Sequence, residues 1–571
     1  MGRARPTWFL VVLLGFVALV PRPTSAATIT FRDVTKSSGI RFQFKTDLRH
    51  GRMISTMGGG VAAADYDGDG WTDLFFTGSA SDAFKPEKGP CGALYRNRGD
   101  GTFEDATAKS GIRACGWQMA ATWVDIDSDG LPDLIVGGLD QTTVWQNRGD
   151  GTFREVSGQR GLSLGHHFTI GAAAGDIDGD GRVDLFFVGY LETSLSHELS
   201  FPLFQIRMPE DYAGEDARLF CQRPDGSFED ATVSAGVSNH DGKGTGAVFF
   251  DYDGDGRQDL FVANDRVSNR LFRNLGGGKF EDVTEQTGAG SREARAKAGM
   301  GIAVGDPFLS GHPSVYVTNF SGETNTLYQS VEGELFEDAT EKSNAGAASW
   351  PLVQWGTGFA DFDDDGNPDL YAVSGHIGYH ILAVLSRLFG YGMKENVWQG
   401  DRSHRQPMTL WRNAGAGKFE DAASSSGAFG KLRLCARGSA TADLDGDGRV
   451  DLAVAAISGG SRVLRNTTAS PDHALEILPV AGADRRTALG TKVRVVAGGK
   501  VQIQEFIVVP SYASGSWVPL HFGLGSSASA DRVEVFAPGA TRPTAVFRDV
   551  AGGRLYRLRD GALAEVRTFR R

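Results

Sequence analysis

An aspartate-rich segment recurs along the 571-residue chain and constrains its fold more than any other feature. The first copy reads Asp65-Tyr-Asp67-Gly-Asp69-Gly-Trp71-Thr-Asp73-Leu; others begin at Asp125, Asp176, Asp251, Asp361 and Asp443, with a degenerate one at Asp306. Successive first aspartates stand 60, 51, 75, 55, 55 and 82 residues apart. A second element, Phe31-Arg-Asp-Val-Thr, returns in similar form at Phe103, Phe153, Phe228, Phe280, Phe336 and Phe419. A third, Leu-Tyr-Arg-Asn or a variant, precedes most of these, as at Tyr95-Arg96-Asn97 and Phe272-Arg273-Asn274. Repeats of this period specify an array of like units.

Each unit reads as four short strands. A small-residue strand such as 60–64 enters the Asp loop, and Leu74-Phe75-Phe76 leaves it as aromatic strand material. The Leu-Tyr-Arg-Asn segment is the third strand, and a Gly-Asp-Gly turn leads to the fourth at Phe103. The 77 glycines suit a chain with many tight turns. The expected fold is all-β, a seven-bladed β-propeller followed by a small β-rich, sandwich-like domain. The Phe element appears before any Asp loop, and none follows the last loop. Residues 28–34 should therefore supply the outer strand of the final blade and close the ring. The longer steps map to insertions at 191–216 and 376–407, candidate contact surfaces, the second with Tyr379, Phe389, Tyr391 and Trp398.

Carboxylates at positions 1, 3, 5 and 9 of a tight loop can converge on one point, and calcium takes six to eight hard oxygens. Glycine at position 6 permits the bend, and the carbonyl of position 7 adds a ligand. The candidate ligands are Asp65, Asp67, Asp69, Trp71 and Asp73, then Asp125, Asp127, Asp129, Leu131 and Asp133, then Asp176, Asp178, Asp180, Arg182 and Asp184. The remaining sets are Asp251, Asp253, Asp255, Arg257 and Asp259, then Asp361, Asp363, Asp365, Asn367 and Asp369, then Asp443, Asp445, Asp447, Arg449 and Asp451. About six structural Ca2+ ions are expected. Strand material follows each loop, and position 12 is Phe76, Val136 and Phe187 in the first three, which excludes an EF-hand. The degenerate copy, Asp306-Pro-Phe308-Leu-Ser310-Gly311-His-Pro-Ser314, should keep the turn without a tightly held ion.

These loops and Phe-x-Asp-x-Thr elements resemble the FG-GAP/VCBS repeats of integrin-α-type propellers, from about Phe31 to Asn466. That resemblance implies calcium held between the first two strands of a blade. After Asn466 the pattern stops. Gly490-Thr-Lys-Val-Arg-Val, Ser511-Tyr512-Ala-Ser-Gly and His521-Phe-Gly-Leu-Gly525 resemble the ASPIC/UnbV domain, which follows such a propeller in the cartilage acidic protein family and its bacterial homologues. The division is then a leader at 1–26, a propeller at 27–466 and the second domain at 467–571. Strands are expected there at 475–480, 492–496, 501–509, 532–536 and 555–558, with His521 packed between strands.

Arg3 and Arg5, an apolar run at 8–20 and Thr24-Ser25-Ala26 read as a secretory signal. No stretch is long enough for a transmembrane helix, so a secreted, extracellular or periplasmic protein is expected. Loss of the leader takes the formal charge from −12 to −15, which argues against nucleic acid or anionic membranes as partners. Four cysteines permit two disulfides, and Cys91–Cys115 is the favoured pair. The expected function is a binding or adhesion scaffold for an extracellular protein or glycan. The alternative is a carbohydrate-active hydrolase or lyase working in the propeller channel, although no GxSxG, HExxH or Cys-His pair is present. His376 and His380 have metal-compatible spacing if helical, but no third ligand can be named. Arg98-Gly99-Asp100 and Arg148-Gly149-Asp150 read as turns rather than adhesive tripeptides, and Asn319 and Asn466 fit the glycosylation sequon.

Overall fold

The computed structural model describes residues 27–46, 53–78, 91–200, 207–290, 296–377 and 404–570. The expected leader at 1–26, His380 and the four aromatic residues of the second insertion lie outside the described residues.

Among the described residues, alternating small and large apolar residues build seven four-stranded antiparallel meanders, called blades I to VII here. Their first strands are Val61–Ala64, Gln118–Val124, Thr169–Gly175, Gly244–Phe250, Ile302–Gly305, Gln354–Ala360 and Cys435–Ala442. Each contacts the first strand of the next blade, and the last contacts the first, so the cycle closes on a common axis. Closure follows the phase of the repeat. Phe31–Asp33 pairs antiparallel with Arg462–Asn466, Phe31 opposite Asn466, and forms the outer strand of blade VII. Buried aromatic residues fill the spaces between blades; Tyr66, Trp123 and Phe153, for example, pack together between blades I and II.

The C-terminal part forms two four-stranded sheets. One orders Leu520–Gly525, His473–Pro479, Arg554–Arg559 and Ala562–Thr568; the other orders Lys500–Glu505, Lys492–Ala497, Ser529–Phe536 and Ala545–Ala551. Leu475, Ile477, Val493, Val495, Val533 and Leu555 from both sheets share one core, as a sandwich requires. The expected strand at 501–509 divides in two. Its first part stays in the sandwich, and Val509–Ser511 leaves to form a hairpin with Ser514–Ser516.

That hairpin fills the propeller axis. It contacts the first strands of all seven blades, and Ser514 and Gly515 pair in parallel with Ala121 and Thr122. Serine hydroxyls satisfy inner-strand N–H groups: Ser514 Oγ accepts from Val61 at 3.1 Å, Ser516 Oγ from Ala63 at 3.1 Å, and Ser511 Oγ from Thr357 at 3.1 Å. Tyr512 reaches furthest, donating to the Met57 carbonyl at 2.9 Å and meeting Trp355 edge-on. Such approach demands glycine at the inner strands. A Cβ at Gly60 would lie 2.1 Å from the Ala513 carbonyl. The channel-based hydrolase or lyase reading needs an open axis, and this axis is occupied.

Candidate metal loops and their cover

In every intact loop the first aspartate accepts at least two backbone hydrogen bonds from its own turn. Asp65 takes Asp69 N–H on Oδ1 at 3.0 Å and Gly70 N–H on Oδ2 at 2.8 Å, with Gly70 at φ 88°. Asp125 and Asp361 repeat the arrangement; in Asp176, Asp251 and Asp443 the position-6 glycine again donates to Oδ2, but the position-4 glycine donates to Oδ1, joined at Asp443 by Asp447 N–H. The ninth residue opens the second strand. Asp73 accepts from Tyr66 at 3.1 Å and from Asn97 at 2.7 Å, and Asp133, Asp184, Asp259, Asp369 and Asp451 do likewise. The fifth residue caps the turn, Asp69 Oδ1 accepting from Trp71 at 3.0 Å.

The third residue differs. Oδ1 of Asp67, Asp127 and Asp363 is buried without a hydrogen-bond partner among the described residues. A buried carboxylate oxygen left unpaired is costly, and a cation removes that cost. Among the described residues, five groups of three aspartates bring their ligand atoms within 4.8 Å of one another: Asp65/Asp67/Asp73, Asp125/Asp127/Asp133, Asp176/Asp178/Asp184, Asp251/Asp253/Asp255 and Asp361/Asp363/Asp365. A hard-oxygen set of this kind fits a divalent metal. Burial, reinforced by neighbouring carboxylates, pushes Asp65 up to about 6, Asp125 to about 7 and Asp184 to about 8. The clusters thus favour a proton or a metal over bare charge.

Spacing alone missed two partners of these loops. The first is the arginine of the third strand. Arg412 Nε and Nη2 lie 2.7 Å from Asp363 and Asp365, Arg96 pairs with Asp67 and Asp69, and Arg465 with Asp445 and Asp447. Repulsion among the carboxylates is therefore partly offset by the protein itself. Gln146 and Cys221 stand at the same register in blades II and III. The second is the following asparagine, whose side chain clamps blades together. Asn147 Nδ2 donates to Tyr66 O of blade I at 2.7 Å and Pro132 O at 3.1 Å. Asn97 reaches Leu444 O, and Asn466 reaches Phe362 O.

The loop face also carries the sandwich domain, largely through basic side chains. Arg486 donates to the carbonyls of Gly179 and Asp180, both at 3.0 Å, and Lys492 pairs with Asp251. Lys500 donates to Asp365 O at 2.5 Å. Arg567 lies 3.1 Å from Asp443 and, with Arg570, stacks on Trp71. His521, packed in its strand as expected, bonds Asp364 at 3.0 Å across the interface. Burial alone would lower its pKa, but Asp364 and Glu476 override this and raise it to about 10.

Family comparison agrees with this anatomy. FG-GAP-like repeat profiles match residues 65–136, 125–187 and 251–306, and an ASPIC and UnbV profile matches 482–565. The chain carries FG-GAP-like repeats and an ASPIC/UnbV domain. Cartilage acidic protein 1 of Xenopus tropicalis is 25% identical over 49% of this chain and 39% of its own length. The Homo sapiens protein of the same name is 28% identical over 32% of this chain and 27% of its own. The matches thus span well under half of these relatives. An Agrocybe aegerita lectin that recognises non-reducing terminal N-acetylglucosamine overlaps with TM-score 0.35 at 15% identity, over 64% of this chain and 80% of that one. Saccharomyces cerevisiae Sqt1 gives 0.39 at 10% identity, over 78% and 100%. Overlaps this shallow carry no argument, and the fold rests on the sheet topology.

Other candidates resolve differently. The degenerate FG-GAP loop keeps its turn, Asp306 accepting from Ser310 at 2.9 Å and Gly311 at 2.6 Å. Cys91 and Cys115 form the disulfide, whereas Cys221 and Cys435 are free thiols. Asp100 and Asp150 accept hydrogen bonds from Thr102 and Thr152 inside their own turns, as a turn reading requires. Both sequon asparagines are buried with Nδ2 engaged, Asn319 to Thr324 O and Asn466 to Phe362 O, so neither presents a glycan acceptor. His376 lies against Phe320, and His380 is outside the described residues. In the first insertion Tyr212 is buried and donates to Glu198 at 2.9 Å, so its ring packs inward. No helix among the described residues is long and apolar enough to cross a membrane.

Proposed function

We propose that the chain is a secreted calcium-binding propeller that acts as an extracellular binding or adhesion scaffold for a protein or glycan. The observation that carries this reading is the repeated carboxylate cluster, with a buried Oδ1 on Asp67, Asp127 and Asp363 that has no hydrogen-bond partner among the described residues. The aspartates at positions 1, 3, 5 and 9 and the carbonyls of Trp71, Leu131, Arg182, Arg257, Asn367 and Arg449 would hold about six Ca2+ ions. A bound ion supplies charge compensation, and the chain's own groups do the rest. Backbone N–H groups orient the first and ninth carboxylates, and the asparagine clamps carry each loop's position to the neighbouring blade. Ions bound only by the native state stabilise it by mass action.

A rigid ring with insertions suits recognition better than turnover. The sandwich covers the loop face and its hairpin fills the axis, which leaves the opposite face and the blade rims for partners. Similarity to cartilage acidic protein 1 supports an extracellular setting. The test has two parts. Elemental analysis of protein purified without chelator should find close to six calcium ions per chain. An array of glycans and extracellular proteins, probed with and without EDTA, should show calcium-dependent retention without chemical change of the captured ligand. Turnover of an arrayed glycan would overturn the scaffold reading, and absence of calcium would overturn the metal reading.

A further inference from the structure

The Asp loops of blades III, IV and VII, called loops III, IV and VII, share one form of the turn. In each, the position-4 glycine donates to Oδ1 of the first aspartate: Gly179 to Asp176, Gly254 to Asp251 and Gly446 to Asp443. The third aspartate's Oδ1 accepts from its own turn, at 3.1 Å for Asp178 and Asp253 and 3.3 Å for Asp445. An arginine at position 7 pairs with the fifth residue, Arg182 with Asp180, Arg257 with Asp255 and Arg449 with Asp447.

Beyond this the three diverge. The third strands of blades IV and VII add Arg273, 2.8 Å from Asp253 Oδ2, and Arg465 on Asp445, where blade III has Cys221. The sandwich domain then places a cation on the first carboxylate itself. Lys492 pairs with Asp251 Oδ2, and Arg567 Nη2 lies 3.1 Å from Asp443 Oδ2. Among the described residues, no lysine or arginine forms an ion pair with Asp65, Asp125, Asp176 or Asp361. Arg486 also reaches loop III, but through the carbonyls of Gly179 and Asp180. Loop III thus pairs one cation with its four carboxylates, whereas loops IV and VII pair three each. Acids of the sandwich domain back both of its cations. Glu505 stands opposite Lys492 in the strand pairing and accepts Asp251 N–H at 2.9 Å, and Glu476 Oε2 lies 3.6 Å from Arg567.

We infer, on the calcium reading of these loops, that Lys492 and Arg567 are internal competitors of calcium, so that loops IV and VII are low-affinity sites whose filling is set by the sandwich domain. Affinity in carboxylate loops follows ligand charge. A lysine or arginine at contact distance holds a carboxylate that the ion needs, and it repels the ion across a medium that screens less than water. Competition runs both ways by linkage: calcium entering loop IV or VII weakens the hold of the sandwich domain on that loop. The loops of blades I, II, III and VI carry no cation on the first carboxylate and fill first.

The full chain, stripped with EDTA and then freed of chelator, should be titrated with calcium by isothermal calorimetry. Two classes are expected, about four tight equivalents and about two that are weaker by at least about tenfold. Lys492→Gln and Arg567→Gln should each move one equivalent from the weak class to the tight one, because Asp251 with Glu505, or Asp443 with Glu476, is left for the ion to balance. Lys492→Arg keeps the charge and should keep the wild-type pattern, which separates competition from a packing defect. If one glutamine variant does not fold without calcium, the other and the wild-type class count still decide. Six equivalents of one affinity, or folded glutamine variants with the wild-type pattern, would overturn the proposal and leave the calcium reading standing. No calcium uptake at all would remove that reading and the proposal with it.

Discussion

Arg567 Nη2 lies 3.1 Å from Oδ2 of Asp443, so a residue four positions from the C-terminus neutralises the first carboxylate of the last FG-GAP loop. The same guanidinium donates to Gly70 O at 3.1 Å and stacks on Trp71, which joins blade VII to blade I through the sandwich domain. Both charges are nearly buried, and removing one partner of a buried pair costs about 3–5 kcal/mol. Arg567→Ala should therefore lower stability by about 3 kcal/mol in EDTA. Calcium supplies an alternative counter-charge for Asp443, so the loss should shrink in saturating calcium. Urea unfolding of both proteins under both conditions checks this.

The raised carboxylates make a signed prediction for chelated protein. Burial pushes Asp65 up to about 6, Asp125 and Asp443 to about 7 and Asp184 to about 8, against an unfolded value near 3.8. Between those limits the native state binds more protons than the unfolded chain, so stability falls as pH rises. In EDTA the thermal midpoint should drop steadily from pH 5 to pH 8. Calcium needs the same oxygens deprotonated and should release protons on binding, so its affinity should rise over that range. A midpoint in EDTA that climbs from pH 5 to pH 8 would contradict the burial of these groups.

Asn147 ties the second loop to blade I through Tyr66 O and to its own loop through Pro132 O. Asn147→Ala leaves these buried carbonyls without that donor, at about 1–3 kcal/mol for each unsatisfied group. A loss of about 2–4 kcal/mol is expected, with little change in calcium content, because Asp133 is held through the backbone N–H of residue 147. Asn147→Gln should recover part of it, since Gln222 does the corresponding work in blade III by donating to Ile126 O at 2.7 Å. Denaturant titration with metal analysis separates the two effects.

The parts of this architecture that were legible are those written locally. The loop, the Leu-Tyr-Arg-Asn strand and the Phe strand each carry their own residues, and their phase alone assigns Phe31 to the final blade, where it pairs with Asn466. What escaped was written in pairs far apart in sequence. Ser514 meets Val61 across 453 positions, and nothing in Ser-Gly-Ser announces a hairpin bound for the propeller axis. Strands at Leu520–Gly525, Ala545–Ala551 and Ala562–Thr568 escape a sequence reading because glycine and exposed charge blur their alternation. Arg96 and Asn97 were read as strand residues only. Their roles appear once the third strand is seen beside the loop of its own blade and the neighbouring one. The burial of Asn319 and Asn466 likewise follows from tertiary packing, which a tripeptide sequon does not encode.

The degenerate loop offers the most direct test of metal binding. Its backbone already makes the two hydrogen bonds to Asp306 that shape the intact loops, and Ser314 occupies the position that opens the second strand, as Asp73 does in blade I. Only the carboxylates are missing. Phe308→Asp, Ser310→Asp and Ser314→Asp together restore positions 3, 5 and 9 on a turn that needs no rearrangement. Ser330 N–H lies 3.3 Å from Ser314 Oγ, ready to orient a ninth-position carboxylate as Asn97 N–H orients Asp73. The triple variant should bind one more calcium ion per chain than wild type by elemental analysis. Its stability should fall below wild type in EDTA, where three added acids crowd Asp306, and recover in calcium. An unchanged ion count in a folded variant would mean that loop shape plus carboxylates is insufficient, and the metal assignment of the six intact loops would lose its basis.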